Sequence, residues 1–166
     1  MFESILAGVG SEQVRVFVSY DREHDGDLHD LLVEQASKST SGFEISARSR
    51  ARAPTDLWDE ALRREIREAD EVIIICGEYT DCSERVGTEL RIAREEERPY
   101  FLLWGRRELM CTKPATAKPA EGMFSWTWEI LHSQILTIHH AAQSNERWAK
   151  LRRAKATTKS RPYCSR

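Results

Sequence analysis

The chain has 166 residues, enough for one domain of ordinary size and too few for two. Hydrophobic residues make up 40% and charged residues 31%, which permits a packed core and excludes a wholly disordered chain. A net charge of −2 excludes a surface that grips nucleic acid over its whole extent, and no apolar run reaches the roughly eighteen residues of a membrane span.

The opening MFESILAGVG lacks a basic stretch and is too short for a secretory signal. Cysteines at 76, 82, 111 and 164 are too few and too scattered for a disulfide scaffold, and Cys76 and Cys82 do not have zinc-finger spacing. A reducing cytoplasm is the expected location, with no membrane contact. Charge is unevenly spread: from residue 145 on, eight Lys and Arg stand against Glu146, so this tail is +7 and the preceding body −9. A basic tail can touch nucleic acid or a phosphorylated partner, but a solvated, frayed end is the simpler reading, and nucleic acid is not an expected partner. The expected organisation is an N-terminal segment over 1–13, one domain over 14–143 and the basic tail over 144–166.

Val14 to Ser19 (VRVFVS) predicts a buried strand. Leu28, Leu31, Leu32 and Ala36 then recur at helical steps as one apolar face, and the polar KSTSG at 38–42 ends that helix. Phe43 to Ile45 predicts a short second strand, and Ser46 to Pro54, with Arg48, Arg50 and Arg52, a basic loop. Trp58, Ala61, Leu62, Ile66 and Ala69 form a second amphipathic helix, with Thr55 or Asp56 available as its cap. The unbroken run Val72-Ile73-Ile74-Ile75-Cys76 has the pattern of a parallel strand buried on both faces. A third helix is expected from about Ser83 to Glu97, then a strand over Tyr100 to Trp104. Residues 105–122, with Pro114, Pro119 and Gly122, read as a long loop, with room for a fifth strand near Met123-Phe124. Trp128, Leu131, Ile135 and Ile138 give a last helix. The alternation of strand and helix implies an α/β, flavodoxin-like doubly wound parallel sheet of four to five strands with helices on both faces.

In such a sheet, ligands bind at the carboxyl ends of the strands where the strand order reverses, between the first and third strands. Ser19, Tyr20, Asp21, His24 and Asp25 bracket that point on one side, and Gly77, Glu78, Tyr79, Thr80 and Ser83 on the other. Phosphate-loop fingerprints are absent, because Gly8-Val9-Gly10 precedes the first strand and no GxxxxGK[ST] occurs. No GxSxG elbow supports a serine hydrolase. His139-His140 reads as exposed rather than metal-binding, and the tryptophans as packing rather than a base platform. Glu89 falls in the helical arc that holds Val86, Leu90, Ile92 and Ala93, the only charged residue there between 86 and 94. It either faces the crevice or flanks the apolar stripe and reaches solvent, and periodicity leaves both open.

VFVSYDREHD at 16–25, the Trp58 helix ending in IREAD, the VIIICGEYT run at 72–80, and Ser83 through Ala93 together resemble the TIR-like domain of bacterial Thoeris-type defence proteins. The similar stretch covers roughly residues 14 to 104, and G-x-x-T followed by S-x-x-V-x-x-E-L is its most specific part. The resemblance implies a flavodoxin-like fold and cleavage of the nicotinamide–ribose bond of NAD⁺, giving nicotinamide and ADP-ribose or a cyclised ADP-ribose signal in anti-phage defence. It implies that Glu89 is the key glutamate, on the helix after the third strand. Ser19, Tyr20, Asp21, His24, Gly77, Thr80 and Ser83 would line the pocket, with Arg48, Arg50 or Arg52 toward the pyrophosphate. Where the family often has Trp-Val before that glutamate, this chain has Arg85-Val86, which fits a changed base pocket or a domain that binds a nucleotide without cleaving it. No metal and no cofactor is implied, NAD⁺ being the substrate; the implied partners are NAD⁺ or a related nucleotide, further copies of the chain and a separate effector. Two other classes stand beside this one: a non-catalytic interaction module, and a nucleoside-processing transferase acting on an N-glycosidic bond.

Overall fold

A computed structural model describes residues 13–38, 41–48, 57–138, 140–141 and 144. Residues 1–12 of the N-terminal segment, 145–166 of the tail, the capping residues Thr55 and Asp56, and Arg50 and Arg52 lie outside them. The elements follow in the order β1 (Val14–Ser19), α1 (Gly26–Ala36), β2 (Phe43–Arg48), α2 (Leu57–Glu68), β3 (Glu71–Cys76), a 3₁₀ turn (Thr80–Cys82), α3 (Glu84–Glu95), β4 (Tyr100–Trp104) and β5 (Met123–Ser125). Residues 128–138 are helical and are called α4.

All four strand pairings are parallel, and the sheet order is β2-β1-β3-β4-β5. That is the flavodoxin-like order, and its reversal lies between β1 and β3. Side-chain alternation sorts the core into two layers. Val14, Val16, Val18, Ile73, Ile75 and Leu103 pack with Leu28, Leu32, Leu131 and Ile135, placing α1 and α4 on one face. Phe17, Val72, Ile74, Cys76 and Leu102 pack with Leu62, Ile66, Val86 and Leu90, placing α2 and α3 on the other. Every residue of β3 is buried, which is why Val72 to Cys76 read as a continuous apolar run rather than an alternation. Ion pairs of Arg63 with Glu95 and Glu96, and of Arg67 with Glu96, tie α2 to α3; the two arginines pull the Glu96 carboxyl down to about 2.

Three local expectations are corrected. Leu31 is exposed on α1, and His29 takes a buried place instead, because the buried arc of this helix is centred between Leu28 and His29. β2 runs on through Ser46 to Arg48, where the basic loop was expected to have begun. A register shift between Val16 and Phe17 lets the longer strand keep its pairing with β1. The third helix stops at Glu95, short of the expected Glu97, and Ser83 stands as its N-cap after a separate 3₁₀ turn at Thr80–Cys82.

The 105–122 segment has no strand or helix, and it is strapped down. Thr112 N–H donates to the Gly77 carbonyl (2.8 Å), Thr116 Oγ1 to the Gly87 carbonyl (3.0 Å), and Arg94 pairs with Glu121 (2.9 Å). Tyr100 also donates to Glu121. The strap therefore runs from the carboxyl edge of the sheet along α3 and delivers the chain to β5. Among the described residues no helix is long and apolar enough to cross a membrane.

Candidate active site

Ser19 ends β1 on the same face as Phe17, so its side chain faces α3. α3 buries Val86, Gly87, Glu89, Leu90, Ile92 and Ala93, and Glu89 is the only carboxylate in that set. The two elements bring Ser19 Oγ to 2.5 Å from Glu89 Oε2, the hydroxyl donating. Hydroxyl-to-carboxylate bonds fall at about 2.5–2.7 Å, shorter and stronger than those between neutral groups. Both residues are 0% exposed. The reading in which Glu89 flanks the stripe and reaches solvent is therefore excluded.

Gly77, just past β3, faces the other layer. A Cβ there would lie 2.2 Å from both carboxylate oxygens of Asp25, so only glycine lets Asp25 settle against the strand tip. Gly77 N–H donates to Thr80 Oγ1 at 2.8 Å, which closes the turn after β3 around a fully buried threonine. Burial pushes the Asp25 carboxyl up, opposed by the Arg106 guanidinium at 3.3 Å from Oδ1. Arg106 also meets both Asp27 oxygens, at 2.8 and 2.9 Å, and the His24 carbonyl at 3.0 Å. One guanidinium thus fastens the loop after β1 to the exit of β4. Asp25 Oδ2 has no hydrogen-bond partner among the described residues.

Asp21, nearly buried, accepts the Glu23 N–H (3.0 Å) and bonds His24 Nδ1 (3.1 Å). The His24 ring lies 4.6 Å from the Tyr79 ring, bridging the loops that follow β1 and β3. Tyr20 turns away from this edge: it is buried in the α1-side core and stacks on His29 at 4.5 Å. Of the residues expected at the site, Ser19 meets Glu89, Asp21 meets His24, and Gly77 meets Thr80. Ser83 caps α3 through its backbone position without a side-chain capping bond.

Asp25 sits among the loop residues flagged from sequence, but its seat on Gly77 had no signal there. Arg106 had none either, because a Lys or Arg after a strand is ordinary and its partners lie about eighty positions earlier. No group of three or more His, Cys, Asp and Glu able to hold a metal occurs among the described residues.

A family model described as the Thoeris protein ThsB, TIR-like domain, matches residues 17–106. That is more than half of the chain. The chain belongs to this family. The matched span begins inside β1 and ends at Arg106, so it holds the Ser19–Glu89 pair, the Gly77–Asp25 contact and the arginine that fastens them. The strap, β5 and α4 lie beyond it. No curated protein matches this TIR-like chain.

Proposed function

We propose that this TIR-like protein cleaves the nicotinamide–ribose bond of NAD⁺ in anti-phage signalling, with Glu89 as its catalytic carboxylate. The observation that carries the reading is a fully buried glutamate, fixed by a serine hydroxyl at 2.5 Å, at the reversal point of a TIR-like sheet. Nicotinamide in NAD⁺ is cationic and leaves as a neutral molecule, so no general acid has to protonate it. What remains is to stabilise the oxocarbenium-like charge on the ribose as the bond breaks. A carboxylate held away from water does this best, because its field is not screened and it need not reorganise. Ser19 holds Oε2 in place, and Asp21, His24, Gly77, Thr80 and Ser83 surround the approach.

Glu89 has no exposed surface, so contact with a ribose requires the covering segments to part. That same enclosure favours the second reading, a non-catalytic TIR-like module in which Glu89 only braces α3 against β1. Further copies of the chain and a separate effector that reads the product are part of the proposal, as is the cytoplasmic setting. The reaction uses no metal or cofactor in this scheme.

The deciding experiment measures nicotinamide release from NAD⁺ at high protein concentration with a crowding agent, for the wild type and Glu89→Gln. Release by the wild type and its loss in a folded Glu89→Gln chain supports catalysis. Absence of release from both, with mass-spectrometric analysis finding no other product, leaves the interaction module. Cleavage of deoxynucleosides in place of NAD⁺ would point to a nucleoside-processing transferase.

A further inference from the structure

His24 and Tyr79 are the only ring pair that spans the two loops at the reversal point among the described residues. Their centroids are 4.6 Å apart with planes tilted by 40°. Neither ring belongs to the core: Tyr79 is 50% exposed, and the His24 side chain 45%. A surface aromatic ordinarily moves freely, but both of these stand on fixed supports. Asp21 holds His24 Nδ1 at 3.1 Å and is itself fixed by the Glu23 N–H. The Tyr79 carbonyl accepts the Cys82 N–H at 3.1 Å, and the turn around it is closed by Thr80 and by the bond between Thr112 Oγ1 and Asp81 Oδ1 at 2.9 Å.

Tyr79 packs against His24 and still leaves half of its own surface exposed. An amphipathic ring carried on a fixed turn and packed against a second ring is a stacking surface whose ordering cost is reduced. Every nucleobase has a π-face, so stacking suits a base without demanding a particular set of hydrogen bonds.

We propose that His24 and Tyr79 form the platform on which the adenine base of the dinucleotide stacks; this rests on the reading of NAD⁺ as the substrate. The choice of base follows from depth. The scissile bond joins nicotinamide to its ribose and must reach the buried Glu89, beneath the strand tips. The half-exposed rim then meets the far end of the dinucleotide, which is adenine. A neutral base also suits a surface left partly in water.

The test is calorimetric titration of the full chain with AMP, which carries adenine without nicotinamide, and with nicotinamide mononucleotide, which carries the reverse. Tyr79→Ala should raise the Kd for AMP about 5- to 150-fold, since a stacked base contributes on the order of 1–3 kcal/mol. The same change should leave nicotinamide mononucleotide binding unaltered, and Tyr79→Trp should preserve AMP binding. An unchanged melting temperature for Tyr79→Ala is expected from its exposure and shows that the fold is intact. Failure of the wild type to bind AMP, equal AMP affinity in Tyr79→Ala, or an equal loss for both ligands would overturn the proposal. The readout needs no turnover: an inactive wild type that binds AMP through Tyr79 would sink the catalytic reading and keep the platform.

Discussion

Ser19 Oγ and Glu89 Oε2 are joined by a 2.5 Å hydrogen bond across 70 residues of sequence, with neither side chain reaching solvent. Removing one hydrogen-bond donor from a buried carboxylate costs on the order of 1–3 kcal/mol. Ser19→Ala should therefore lower unfolding free energy by about that amount in urea denaturation. It should also reduce kcat for nicotinamide release more than it raises KM, since the ribose-binding groups stay in place. Unchanged stability would show that the bond contributes nothing net.

Gly77→Ala should destabilise the protein by about 1–3 kcal/mol, the usual range for an overpacked site, because its Cβ would fall 2.2 Å from the Asp25 carboxylate. The clash is with one side chain, so Asp25→Ala should relieve it. In a double-mutant cycle the two changes should be non-additive by about 1 kcal/mol or more, the double variant being more stable than the sum of the singles. Additive effects would mean that the glycine is needed for some other reason.

Glu71 opens β3 in a fully buried position, and neither of its carboxylate oxygens has a hydrogen-bond partner among the described residues. Burial pushes its carboxyl up to about 9 from an ordinary 4.5. In the unfolded chain it ionises near 4.5, while the folded protein keeps the proton until about 9, so the unfolded state gains on the folded one as pH rises between those values. Stability from this group is fully present below the lower value and is lost progressively up to the higher one, at up to roughly 1.4 kcal/mol per pH unit. Melting temperatures measured at pH 6 and pH 8.5 should fall with pH, and Glu71→Gln should flatten the trend. An equal slope in the variant would assign it to other groups.

The elements that sequence could supply are those whose pattern is local. β3 announces itself through its apolar run from Val72 to Cys76, the pattern that burial on both faces favours, and the topology follows once helices alternate with such strands. Glu89 was legible as a charge inside an apolar arc, although periodicity alone could not say which way its carboxylate turned. Its partner could not be read, because Ser19 lies 70 residues away and meets it only after β1 and α3 pack. The same holds for Arg106, whose partners Asp25 and Asp27 become neighbours through the β1–β3–β4 order. Leu31 misled for a different reason: three leucines at helical steps fit an apolar stripe, yet the buried arc also takes in His29, which stacks on Tyr20. The extension of β2 was hidden by its serine and arginine, residues tolerable on a strand with one open edge.

The strap over 105–122 couples two parts of the molecule that the sheet alone would leave independent. Thr116 rests on the Gly87 carbonyl, two positions before Glu89, while Thr112 holds the carbonyl of Gly77 on the opposite side of the crevice. Its far end is held by the Arg94–Glu121 pair, by Lys113 Nζ on the Glu121 carbonyl, and by the three-residue edge strand β5. One connector thus ties the turn after β3, the helix that carries the enclosed carboxylate and the outer margin of the sheet into a single hydrogen-bonded unit.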